Sequence, residues 1–302
     1  MAVSIDGVVL LDKPLGVTSH TATNKLRRLV GSLRAGHVGS LDPLATGMLP
    51  VCLGEATKVA GLVASHDKHY CFTVALGART STGDAEGEVV ERLPVPRFSR
   101  GDVDSVLAAM RGPQNQMPPM YSAIKQGGQP LYRLARQGKT VEREPRPIVL
   151  HELASQQVLP DRITLSARCS KGTYVRVLGE DVARALGTCG FLVELRRDWV
   201  APFSGQRMWS LEEVGRALEE GHADFLLPTS LAVPDLPRVQ LGQAESTRLM
   251  QGQATACEAV LNGTCWLLDP AGTGLGLGNA QAWEGGGGST IRPQRMFTRP
   301  LP

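Results

Sequence analysis

Three prolines within ten residues, Pro228, Pro234 and Pro237, prevent a helix or a fully paired strand from running through the stretch LPTSLAVPDLPRV. Proline fixes φ and has no amide hydrogen to donate, so it stiffens a connection without continuing either element. At 302 residues the chain is also near the size at which a single core stops growing. Together these features predict two unequal domains, 1–234 and 235–302, with the boundary near residue 234. An apolar fraction of 42% against 20% charged residues excludes a disordered composition and predicts a sizeable buried core.

The larger part reads as mixed helix and strand. Gly7 to Asp12 is a short apolar run ended by Pro14 and Gly16, which predicts a strand feeding a turn. A helix follows, capped by Thr18 or Ser19, with Ala22, Leu26, Leu29, Val30 and Leu33 as its inward stripe. Tyr70, Phe72, Val74 and Leu76 alternate with smaller residues at the period of a half-buried strand. Further strands are predicted at 148–153, 163–167, 173–175 and 191–196. A second helix is read over 102–110, and a third opens on the Ser210/Glu213 capping box and stops at Gly221. The glycine-rich tail reads as a small β-rich domain, with Gly274, Gly276 and Gly278 in a turn.

A net charge of +3 does not by itself select a polyanionic partner. Its distribution is more informative. Lys25, Arg27, Arg28 and Arg34 stand together with no acid between them, and Lys125, Arg133, Arg136, Lys139, Arg143 and Arg146 are diluted only by Glu142 and Glu144. Such clusters suit a phosphate backbone or a solvated helix face. The six cysteines form no C-x-x-C pair and read as reduced, mostly buried thiols. His66 and His69 lack a further ligand and read as solvated, and Glu180 and Asp181 as the exposed face of a helix. The opening residues lack a basic-then-apolar signal pattern, and no run nears the roughly 18 apolar residues of a membrane span. The expectation is a cytoplasmic protein without a membrane anchor.

One loop stands apart. In the first half of GHVGSLDPLATGMLPVCLGEATK, residues 36–58, four loop-favouring residues, Gly36, Gly39, Pro43 and Gly47, surround a single acid, Asp42. An aspartate so bracketed ordinarily hydrogen-bonds its own turn. Here His37 precedes it, Leu41, Leu44 and Leu49 make the loop too apolar for a simple surface turn, and the glycines admit close approach of a bulky ligand.

This segment resembles the central motif of the TruB family of tRNA pseudouridine-55 synthases, and GVVLLDKPLGVTSH resembles that family's N-terminal motif. KHYCFTVALGARTSTGDAEG, CSKGTYVRVLGEDVARALG and PPMYSAIKQGGQPLYRLARQG are similar to three further family segments, in family order. The resemblance covers nearly all of residues 7–203. It implies an α+β pseudouridine synthase fold with a mixed, largely antiparallel sheet and flanking helices. It also implies that Asp42 is the nucleophile, Tyr70 stacks on the target uracil and Arg176 forms an ion pair with Asp42. Tyr174 and Leu195 are implied to line the uridine pocket, His37 to fill the space left by everted bases, and Lys13 to support the local architecture. Val38 and Ser40 stand where threonine is more common in the family. The C-terminal part, with LMQGQ and GLGLG followed by IRPQRMF, resembles a PUA-type RNA-binding domain.

The chemistry agrees with these roles. Pseudouridine formation breaks an N-glycosidic bond and rejoins the base through carbon, with no net oxidation, so no redox cofactor or metal is called for. It does call for a nucleophile, and an ionised carboxylate qualifies if a nearby guanidinium offsets the effect of burial. The target base must leave its stack at a cost of a few kcal/mol, which aromatic stacking of about 1–3 kcal/mol per base offsets. The expectation is a monomer acting on the T-arm of tRNA with no obligatory protein partner. An RNA-guided or ribosomal-RNA pseudouridine synthase, and a tRNA-binding or folding protein, stand as alternatives.

Overall fold

The computed structural model describes residues 5–122 and 124–301. Ala123, within the PPMYSAIKQGG segment, lies outside them. The large sheet runs in the spatial order Gly7–Lys13, Ala45–Leu53, Gly190–Val200, Lys68–Leu76, Arg162–Cys169, Arg146–Val158 and Gly112–Gln116, with Ala35–His37 added beside Ala45–Leu53. Every pairing is antiparallel except that of Gly190–Val200 with Ala45–Leu53. The sheet is therefore mixed and largely antiparallel, as the alternating pattern and the family resemblance lead one to expect.

Helices cover one face of this sheet. Ser19–Leu29, Arg100–Ala109, Val175–Ala185 and Leu211–Glu219 bury Ala22, Leu26, Val103, Leu107, Leu178, Val182 and Val214 against Val9, Leu11, Phe72, Val74 and Leu165. The capping box at the last of these helices forms as its sequence predicts: the Glu213 amide donates to Ser210 Oγ at 3.1 Å, and the Ser210 amide donates to the Glu213 carboxylate at 2.8 Å. Ser99 and Asp102 form a second box that starts the Arg100–Ala109 helix.

Several local expectations are corrected. The first helix ends at Leu29, so Leu29 is 41% exposed and Leu33 80% exposed, while Ala22, Leu26 and Val30 alone keep the inward stripe. Residues 173–175 are no strand. Tyr174 instead caps the N-terminus of the Val175–Ala185 helix, and the Gln116 side chain takes up its backbone, accepting from the Tyr174 amide at 2.7 Å and donating to its carbonyl at 3.1 Å. Gly274–Gly278 is no turn but the start of a paired strand. A Cβ at Gly276 would lie 2.4 Å from the Arg295 carbonyl, so glycine is what permits the close pairing. Glu180 and Asp181 are half-buried, and His69 is not solvated but lies with Nδ1 2.8 Å from the accepting Asp198 carboxylate while stacking on Trp199.

A smaller five-stranded sheet follows, in the order Arg238–Gln240, Gly263–Leu268, Gly274–Ala282, Ser289–Leu301 and Thr255–Cys257. One side encloses its own core of Val239, Leu249, Leu267 and Ile291. From the other, Trp266, Leu277, Phe297 and Leu301 pack with Val8, Leu10, Met48, Val200 and Phe203 of the large sheet. The junction is therefore apolar and shared. It is pinned by polar contacts as well, since the Thr298 amide donates to Glu55 at 2.6 Å and Lys58 donates to the Met296 carbonyl at 2.8 Å.

Candidate active site

Asp42 sits on the loop between Ala35–His37 and Ala45–Leu53, and its backbone is held from two sides. Ser19 Oγ donates to the Leu41 carbonyl at 2.9 Å and accepts from the Leu41 amide at 2.7 Å. Lys13, with no exposed surface, donates through Nζ to the carbonyls of Val17 at 2.7 Å, Pro14 at 2.9 Å and Pro43 at 3.5 Å. Burial pushes the Lys13 ammonium down to about 8, with the negative charge of Asp42 opposing part of that fall. Lys13 thus ties the turn after the first strand to the loop of Asp42.

Arg176 enters from the first turn of the Val175–Ala185 helix. Its Nε lies 3.0 Å from the Asp42 carboxylate and 3.7 Å from that of Asp84. Nη1 donates to the Thr82 carbonyl at 2.8 Å and Nη2 to the Tyr121 carbonyl at 2.7 Å. The guanidinium is buried with a partner at each of its three nitrogens, whereas 44% of the Asp42 side chain stays accessible. Desolvation raises the Asp42 carboxyl above its ordinary range and Arg176 pulls it back, with Asp84 adding to the rise and Lys13 opposing it. The sequence-based expectation that arginine offsets burial therefore holds in sign, but the net displacement is upward.

A cavity of about 320 Å³ opens beside Asp42. Tyr70, Tyr174 and Leu195 line it together with Arg176, so five of the seven residues singled out in the sequence meet here. The strand register accounts for this. Leu195 stands opposite Phe72, and Arg197 opposite Tyr70, so Leu195 and Arg197 share a face two residues apart. Tyr70 and Leu195 are each 8% exposed, and burial raises both tyrosine hydroxyls above their usual range.

His37 lines a second cavity of about 330 Å³, which shares Asp42 and Arg176 with the first. Its ring lies 3.1 Å from both Thr23 Oγ1 and Ser40 Oγ, and burial followed by the charges of His20 and Arg197 holds its pKa below the ordinary value. The hydroxyl kept at position 40 thus has a partner. Val38, where the family more often has threonine, is 2% exposed among apolar neighbours, where no hydroxyl is needed.

Sequence reasoning did not single out Asp84, Lys68 or Arg197, which this geometry brings to the site. Asp84 lies inside one of the quoted family segments, but nothing local marks an acid in GDAEG as buried. Arg197 falls on an alternating strand, where a cation predicts the solvent face. Among the described residues no group of three or more histidines, cysteines or acids is arranged to hold a metal ion, and no helix is long and apolar enough to cross a membrane.

The fold is that of pseudouridine synthases. Over 97% of this chain it superposes on 85% of a chain in a Cbf5–Nop10–Gar1 complex, with a TM-score of 0.74 and 22% identity. It matches an H/ACA ribonucleoprotein bound to a substrate RNA containing 2′-deoxyuridine with a TM-score of 0.72 and 20% identity, over 97% of this chain and 85% of that one. In sequence, residues 27–175 match the N-terminal domain model of the TruB family pseudouridylate synthases. The tRNA pseudouridine synthase B of Pseudomonas putida strain GB-1 is 43% identical over 97% of this chain and 96% of its own length. That of Nitrosococcus oceani is 45% identical over 83% and 82%. The chain belongs to the TruB family of pseudouridylate synthases.

Proposed function

We propose that this protein isomerises uridine to pseudouridine at position 55 in the T-loop of tRNA, acting as a monomer without cofactor or protein partner. The observation that carries the reading is the accessible Asp42 carboxylate, paired with a buried Arg176 at the edge of a cavity lined by Tyr70, Tyr174 and Leu195. Asp42 is the nucleophile. The uracil everts from its stack, lies against Tyr70 and contacts Tyr174 and Leu195. The Asp42 carboxylate attacks the sugar carbon as the bond to N1 breaks, the base turns, C5 forms its bond to that carbon as the bond to Asp42 breaks, the proton leaves C5 and N1 takes one up. Atoms and electrons balance, so the chemistry consumes no oxidant or reductant.

Arg176 keeps Asp42 ionised against desolvation, His37 occupies the space that the everted bases vacate, and Lys13 holds the loop. Residues 1–234 form the catalytic domain and residues 235–302 a PUA-like RNA-binding domain. Names of relatives that are 43% and 45% identical along most of their length support tRNA as the substrate.

The test is tritium release from carbon-5-labelled tRNA transcript, with no guide RNA or partner protein added. Wild type is expected to turn over, and Asp42→Asn to lose at least about 1,000-fold in rate, as when a nucleophile is removed, while tRNA binding persists. An active Asn variant overturns the nucleophile assignment, and an inactive wild type overturns the choice of unaided tRNA as substrate.

A further inference from the structure

We propose that Arg197 is a positioning residue of this site, a buried guanidinium that ties Tyr70 to the loop carrying Asp42 and so keeps the stacking ring and the carboxylate at a set separation. The proposal rests on the roles given above to Asp42 and Tyr70.

Arg197 is 1% exposed, yet among the described residues no carboxylate forms an ion pair with it. Its charge is met by backbone dipoles instead. Nε donates to the Met48 carbonyl at 2.7 Å, and Nη2 to the Gly39 carbonyl at 2.8 Å and the Val38 carbonyl at 3.4 Å. Two of these acceptors lie within four residues of Asp42 on the same loop, and the third lies on the strand that leaves it. On the other side Arg197 stands opposite Tyr70 in the strand register, and both residues line the cavity beside Asp42.

A buried cation without a counter-ion is expensive, and an apolar side chain of similar volume would pack at lower cost. Stability alone does not account for an arginine here. Its geometry does. One rigid planar group reaches the loop before Asp42 and the strand after it while standing beside its cross-strand neighbour Tyr70. A lysine has one nitrogen and cannot span both.

The experiment compares wild type, Arg197→Lys, Tyr70→Phe and the double variant by steady-state tritium release from the same tRNA transcript, with melting temperatures measured alongside. In Arg197→Lys, kcat is expected to fall about 100-fold, the cost of a misplacement near 1 Å. KM should stay within about threefold, because the substrate's phosphates are not touched. The double variant should be no slower than the slower single variant, since the two residues act as a unit. A role in stability alone moves the melting temperature and leaves the kcat of folded enzyme unchanged; that result overturns the proposal, as does a fully multiplicative loss in the double variant. Should Arg197→Lys not fold, Tyr70→Phe carries the test, because it removes only the hydroxyl of the cross-strand neighbour of Arg197. A kcat loss beyond about threefold at constant KM then supports the proposal, and a smaller one overturns it. Wild-type turnover in the same assay separates failure of this inference from failure of the functional reading.

Discussion

Arg176 Nε lies 3.0 Å from the Asp42 carboxylate, and the two partners differ in environment: the arginine side chain is 8% exposed and the aspartate 44%. The cation is fixed by two backbone carbonyls while the anion faces the cavity. A rigid buried donor beside an accessible acceptor orients the acceptor without covering it.

This asymmetry sets a pH dependence. Desolvation holds the Asp42 carboxyl above its ordinary range, so the ionised form is lost at a higher pH than for a free aspartate, and kcat/KM should fall as pH drops through that raised value. Arg176→Met removes the charge that lowers the pKa, leaves the acid of Asp84 nearby, and is expected to move the acid limb further up. The check is kcat/KM against pH for residual activity in both proteins. A limb displaced downward or not at all would show that Arg176 does not stabilise the anion.

Lys13 makes a prediction of opposite form. Its folded-state pKa of about 8 lies below that of a free lysine, so between roughly pH 8 and 10.4 the unfolded chain holds a proton that the folded chain has released. Stability from this group therefore rises with pH across that window. Relative to Lys13→Met, wild type is expected to gain about 2–3 kcal/mol between pH 8 and 10.4 in urea denaturation. Parallel profiles for the two proteins would contradict the assignment.

Gly47 marks where the parallel pairing crosses the loop strand. Its φ is +96°, and a Cβ there would stand 2.2 Å from the Arg197 carbonyl. Gly47→Ala is expected to cost about 3 kcal/mol or more, from left-handed strain and displacement of a central strand. A drop in the urea midpoint at unchanged slope measures it. A near-neutral variant would mean that the two strands separate at little cost.

The apolar junction between the sheets should make the molecule unfold as one. Phe297 is 1% exposed and meets Trp266 edge-on with ring centroids 5.5 Å apart, over Val8 and Leu10 of the large sheet. Phe297→Ala is expected to cost about 3–5 kcal/mol and to lower one shared transition. Far-UV circular dichroism and tryptophan fluorescence should then give coincident curves; two separated transitions would show that the sheets fold independently.

Much of this protein was readable from local pattern. The alternation from Tyr70 to Leu76, the Ser210/Glu213 capping box and the stripe through Ala22, Leu26 and Val30 are set by near neighbours in the chain, and the structure repeats them. The motifs around Asp42, Tyr70 and Arg176 likewise named the residues that meet at the cavity. Tertiary structure alone decided the rest. It turned residues 173–175 into a helix start by supplying Gln116 from another strand, left Leu29 and Leu33 in solvent, and drew Asp84 and Arg197 inward. It also gave the Asp42 carboxyl its upward shift. The reason is range: periodicity and capping depend on residues within a turn or two, whereas desolvation and the partners of a buried charge are sums over segments that the sequence keeps far apart.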